Sequence, residues 1–136
     1  MSTGYSRKPL IEKLGIREGS RIIILNPPED YNKTLGKLPK GVFVVETPNG
    51  PLDFIQLFTQ RKEELESKFP ILKKELSQEG ALWISWPKGS SKVETDLNEN
   101  IVREIGLKNG LVDAKISAID ETWSGIKFVF RLKDRK

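Results

Sequence analysis

The run Ile22-Ile23-Ile24-Leu25, apolar without interruption and halted by Asn26-Pro27-Pro28, narrows the folds open to this chain more than any other segment. A strand with one wet face alternates apolar and polar residues. An unbroken run instead fits a strand covered on both faces, as in a parallel sheet layered with helices. The residues that end the run matter equally. A glycine-rich turn after such a strand lets backbone N–H groups and a helix N-terminus approach a ligand, whereas two prolines supply neither small size nor donors.

Upstream, Pro9-Leu10-Ile11-Glu12-Lys13-Leu14 places Leu10, Ile11 and Leu14 at helical spacing and stops at Gly15, which predicts a short helix before the first strand, Arg21–Asn26. Residues 27–41 are rich in Pro, Gly, Asn and Lys, with one helical turn expected around Asp30–Leu35. A second apolar run, Val42-Phe43-Val44-Val45, ends on Glu46; a turn at Thr47-Pro48-Asn49-Gly50-Pro51 then leads to a third strand, Phe54–Phe58. Gln60–Gln78 is helical by composition, with Leu65, Phe69, Leu72 and Leu76 on one stripe, and Pro70 predicts a break into two helices. Gly80 closes this region before a fourth strand, Ala81–Trp86, stopped by Pro87. Asp96 and Glu99 have the spacing of a capping box for a helix Leu97–Asn109, with Gly110 at its C-terminal end. Beyond it, alternation at Ala114–Ile119 and again at Ile126–Arg131 predicts an antiparallel pair at the sheet edge, joined by Asp120-Glu121-Thr122-Trp123-Ser124-Gly125.

At 136 residues the chain is expected to form one domain, residues 1–136, with a single core. Lys and Arg number 23 against 19 Asp and Glu, a net +4, and most charges are interspersed as on a solvated surface. Basic residues gather at the ends, Arg7-Lys8 and Arg131, Lys133, Arg135 and Lys136, but make no stripe interleaved with aromatics, so nucleic acid is not the expected partner. The absence of Cys and His excludes disulfides, a thiol nucleophile, a Cys/His zinc site and a Ser-His charge system. Proton transfer would fall to carboxylates, Lys, Tyr5 or Tyr31. No segment has the apolar length of a membrane span or a signal peptide, so the chain is read as soluble and intracellular.

Buried strands alternating with helices, followed by an antiparallel pair, define an α/β three-layer sandwich with a mostly parallel sheet of about six strands, the last two antiparallel. This order resembles the class I S-adenosylmethionine-dependent methyltransferase fold, shortened in its first half. Glu79-Gly80-Ala81-Leu82-Trp83-Ile84 resembles the glycine-then-strand segment in the middle of those enzymes, and Glu46 stands where their second strand ends in an acidic residue that binds the cofactor ribose. The glycine loop after strand one is missing. More narrowly, Gly4-Tyr5, Lys13-Leu14-Gly15-Ile16 with Gly19, and Trp123-Ser124-Gly125 resemble a family of small bacterial proteins known as a domain of unknown function. That resemblance implies a bacterial, cytoplasmic, stand-alone domain and carries over no activity.

In open α/β sheets ligands bind beyond the C-terminal strand ends, near the point where strand order reverses. Asn26, Pro27, Glu46, Phe58, Thr59, Gln60, Trp86 and Lys88 are expected around that rim. Asn26 could hydrogen-bond a ligand or serve only as a turn residue, and Glu46 could hold a ribose or be an ordinary surface acid. Trp86 and Lys88, with Ser90 and Ser91, would offer an aromatic face beside a cation and two hydroxyls, or merely a polar surface loop. In the Asp120–Gly125 loop, Asp120, Glu121, Trp123 and Ser124 would form a partner-binding surface, or a plain hairpin in which Asp120 accepts backbone N–H bonds and Gly125 supplies an unusual backbone angle. The expected function is a non-catalytic methyltransferase-like domain that binds a small molecule or protein and needs no cofactor. An atypical S-adenosylmethionine-dependent methyltransferase, with Asn26, Glu46, Trp86 and Lys88 at the cofactor, is the second reading, and a nucleic-acid accessory protein the third. Pairing between copies through the strand Ile126–Leu132 is a further expectation.

Overall fold

The computed structural model describes residues 8–135, so the Gly4-Tyr5 motif and the terminal cations Arg7 and Lys136 lie outside the described residues. Two short helices, α1 (Leu10–Leu14) and α2 (Tyr31–Leu35), flank β1 (Arg21–Leu25); β2 (Phe43–Val44) and β3 (Leu52–Phe58) precede the long helix α3 (Lys62–Glu75). Then follow β4 (Leu76–Pro87), α4 (Glu99–Lys108), β5 (Leu111–Ala118), β6 (Trp123–Phe130) and a 3-10 turn at Leu132–Asp134.

Among the described residues six strands join one sheet in the order β2-β1-β3-β4-β6-β5. The first four are parallel and the last two antiparallel, which is the α/β sandwich the residue pattern predicts. Apolar residues on both faces of β1 explain the unbroken run: Ile22 packs with Leu14, Tyr31 and Leu35 on the α1/α2 side, Ile23 with Leu65 and Phe69 on the α3 side. Trp83, fully buried, donates its indole N–H to the Leu14 carbonyl at 3.0 Å and so fastens α1 to the sheet. The chain runs from β1 outward to β2, then crosses back to β3 on the other side of β1. Strand order therefore reverses between β1 and β3.

Several expectations are corrected. Pro70 does not divide α3, which runs unbroken from Lys62 to Glu75. Proline removes the bond to the Glu66 carbonyl, but both residues are exposed, so water can take the donor's place while buried Leu65, Phe69 and Leu72 hold the helix down. Gly80 is no helix cap; it lies inside β4, where the pairing jumps from Leu52↔Leu76 to Phe54↔Ala81 and leaves residues 77–80 as a bulge. A Cβ there would meet the Leu52 carbonyl at 2.9 Å, which only glycine avoids. The capping box is also displaced. α4 starts at Glu99 with Asn98 as its cap, accepting the Ile101 N–H at 2.9 Å. The second apolar run gives only the two-residue β2, whose Phe43 and Val44 are 61% and 51% exposed at a bare edge. Ile126–Leu132 is no edge either: β6 lies between β4 and β5, so β2 and β5 carry the free edges.

Candidate functional site

The strand-order reversal creates a recess of about 370 Å³ at the C-terminal ends of β1 and β3, lined by Asn26, Phe58, Thr59, Gln60, Glu64 and Trp123. Each wall has a local cause. β1 ends as Asn26 turns into the left-handed region at φ 55°, a conformation Asn tolerates better than most residues. This turn carries the chain away from the sheet and opens the gap beside β3. Phe58, the last residue of β3, is buried and meets Tyr31 edge-on at 4.7 Å and Trp123 edge-on at 5.1 Å. Trp123 reaches the recess because β6 is antiparallel: its first residue lies at the rim where the parallel strands end.

A buried polar chain runs beneath this floor. The Tyr31 hydroxyl donates to Gln56 Oε1 at 2.8 Å, and Gln56 Nε2 donates to Ser85 Oγ at 3.1 Å. Burial, with the Asp120 charge adding to it, pushes the Tyr31 phenol above its ordinary value, so it stays protonated. Among the described residues no buried side-chain polar atom lacks a partner.

The recess wall formed by α3 closes on itself. Thr59 donates its hydroxyl to Glu64, and this bond, with Lys68 behind it, holds the Glu64 carboxyl below the usual glutamate value. The carboxylate is thus ionised at neutral pH. Asp96 accepts the Lys62 N–H at 2.7 Å, occupying the first helical donor. Two carboxylates at this helix N-terminus disfavour an anion there. Glu64 escaped the sequence reading, although an acid three residues past the cap position, here Arg61, is a signal for the first turn of a helix.

The remaining predicted residues do not converge on the recess. Glu46 is exposed just past β2, one strand farther along the rim. Trp86 does not present an open aromatic face: it is 4% exposed and packs in the core between the sheet and α3/α4. Lys88 donates its backbone N–H to the Thr122 carbonyl at 2.8 Å, which ties the end of β4 to the following turn. In that turn Asp120 Oδ1 accepts the N–H groups of both Thr122 and Trp123 at 2.8 Å. Glu121 is exposed, and Ser124 pairs in register with Trp86 and Ala118. Gly125 takes no unusual backbone angle; it is needed for space, since a Cβ would lie 3.0 Å from Ile119 Cδ1 and 3.1 Å from the Trp83 ring.

The fold is similar to that of solved S-adenosylmethionine-dependent methyltransferases. A methyltransferase of that class from Aquifex aeolicus superposes with a TM-score of 0.63 at 15% identity, covering 88% of this chain and 86% of its own. A TehB-like methyltransferase from Corynebacterium glutamicum gives 0.57 at 12%, covering 90% and 85%. The magnesium protoporphyrin IX methyltransferase of Synechocystis with bound S-adenosylhomocysteine gives 0.56 at 11%, covering 90% and 78%. No protein-family model and no curated protein matches the chain.

Proposed function

We propose that this chain is a non-catalytic binding domain on a methyltransferase-like fold, taking a small molecule in the recess between β1 and β3. The observation that carries this reading is the lining: two aromatic rings, two carboxamides, one hydroxyl and an ionised carboxylate at the switch point of the sheet. That set suits a small, uncharged or cationic ligand with a planar part and hydrogen-bond donors. Its one carboxylate, Glu64, is a weak base because the fold lowers its value, and the Tyr31 phenol beneath the floor is held protonated. The cytoplasmic, single-domain setting belongs to the same reading, as does Glu121 as the exposed contact of the neighbouring turn for a protein partner.

Bound S-adenosylmethionine or S-adenosylhomocysteine in structural neighbours favours a second reading, cofactor binding at this rim. The residues fit that cofactor only in part. Glu46 and Glu64 could accept from ribose hydroxyls or face the sulfonium, but Pro27 and Pro28 offer no N–H to its carboxylate. Isothermal titration with both compounds decides between the readings, using the native chain and Glu46→Ala. No heat up to millimolar ligand is the expected outcome. Micromolar binding that Glu46→Ala abolishes overturns the non-catalytic reading.

A further inference from the structure

On the α1 side of the sheet the helices cover β1, β3 and β4 but not β6 and β5, and the uncovered strands carry cations. A bulge in β5 between Asp113 and Lys115 shifts the pairing so that Lys115 stands directly opposite Lys127 of β6. Like charges in that relation repel. Lys127 shares this face with Gly125 and Val129, whereas its neighbours Ile126 and Phe128 point into the core against α3 and α4. The edge of α1 adds Lys13, whose ammonium donates to the Ala118 carbonyl at 2.9 Å, while Lys115 donates to the Lys13 carbonyl at 3.1 Å. Carbonyl oxygens thus hold these groups in place without neutralising them.

Farther down, Arg17 and Arg135 join Lys127 around an open recess of about 440 Å³. The Arg135 guanidinium is fixed by two bonds to the Phe130 carbonyl, at 3.2 and 3.0 Å. Three acids, Glu18, Asp53 and Glu79, share that lower recess, and Asp53 is engaged by the Arg21 N–H at 2.9 Å. Among the described residues, none of Lys13, Arg17, Lys115, Lys127 and Arg135 forms an ion pair with a carboxylate. Burial and neighbouring cations hold the Lys13 and Lys127 ammonium groups below their ordinary value. Cations held close together without ion pairs draw anions to the surface.

We infer that this stripe, Lys13 of α1, Lys115 of β5, Lys127 of β6 and Arg17 beyond α1, with Arg135 at its foot, binds the phosphate backbone of a nucleic acid. The stripe follows β6 from Ser124, opposite the Ala118 whose carbonyl holds Lys13, to Phe130, whose carbonyl holds Arg135, a run of about 20 Å that takes a few successive phosphates rather than one anion. No aromatic side chain stands among the stripe residues to stack a base, so contact is to the backbone and independent of sequence.

The test is fluorescence anisotropy with a labelled single-stranded RNA and a labelled DNA duplex, each titrated at several salt concentrations. Binding at low salt is expected, with log affinity falling linearly against log salt, and the two arms tell which nucleic acid is preferred. Lys115→Gln with Lys127→Gln is expected to weaken binding tenfold or more and flatten the salt slope by about two, at unchanged or raised melting temperature. Lys74→Gln with Lys108→Gln, the same charge loss on α3 and α4 across the sheet, is expected to leave affinity within about threefold. Three outcomes overturn the inference: no binding to either nucleic acid at low salt, equal loss in both double variants, or binding to anionic phospholipid vesicles alone.

Discussion

Asp96 accepts the backbone N–H of Lys62 at 2.7 Å, so a residue in the approach to α4 caps the start of α3. The neighbouring Thr95 hydroxyl donates to the Gln60 carbonyl at 2.7 Å, which fastens the same loop to the end of β3. These two bonds position the α3 wall of the recess. Asp96→Ala is expected to cost about 1 kcal/mol, a usual figure for a lost helix cap. Hydrogen exchange gives the sharper check. Amides in the first turn of α3 should exchange faster while Ile101, capped by Asn98, keeps its protection. Faster exchange confined to α4 would show that Asp96 caps α4 after all.

That displaced cap shows what can be read from sequence alone. Features set by near neighbours are legible: the run Ile22–Leu25 declares a strand covered on both faces, and alternation in β6 declares one whose faces differ. Features set by meetings of distant segments are not. Asp96 reads as a cap for the nearest helix because nothing local brings Lys62 to it. Lys115 and Lys127 read as scattered surface charge until the β5 bulge sets them opposite each other. Trp123 looks like a hairpin residue, and only the antiparallel course of β6 brings it to Phe58. The place of Asn26 at the rim, by contrast, is legible, because the residue that ends a parallel strand before two prolines lies at the strand's C-terminal end.

Glycines test the packing of the α4 layer. A Cβ on Gly106 would run into the Phe128 ring, which is fully buried and edge-on to Phe69 at 5.4 Å, so neither partner can yield cheaply. Gly106→Ala should destabilise by about 3 kcal/mol, the upper range for overpacking. Gly125→Ala meets the movable Ile119 methyl at 3.0 Å and the Trp83 ring at 3.1 Å, wider approaches than at Gly106, and should cost about 1 kcal/mol. Urea denaturation of the two variants checks the order, and an equal or reversed cost contradicts the packing described here.

The bond from Thr59 to Glu64 has a pH signature. Because the folded state lowers the Glu64 value, the stability it contributes is present above the unfolded glutamate value near 4.5 and is lost as pH falls through the lower, folded one. Thr59→Val removes the first cause of that shift. Carbon-detected NMR titration should then show Glu64 moving up toward 4.5, with Lys68 maintaining part of the difference. An unmoved titration midpoint would mean that the hydroxyl does not govern this carboxylate.

Gln56 is the hinge of the buried polar chain, since it receives the Tyr31 hydroxyl and supplies the donor to Ser85. Gln56→Leu leaves two buried hydroxyls without these partners and should cost about 2–4 kcal/mol; Tyr31→Phe leaves only Gln56 Oε1 without its donor and should cost about 1–2 kcal/mol. The phenol adds an alkaline limit. Its folded value is raised above the ordinary 10, so its contribution is complete below pH 10 and is lost as pH climbs toward the folded value, where only the unfolded chain releases the proton. Thermal unfolding scans across the alkaline range should show a decline in melting temperature that is shallower in Tyr31→Phe than in the native chain. Parallel curves would mean that Tyr31 ionises as freely in the folded protein as in the unfolded one.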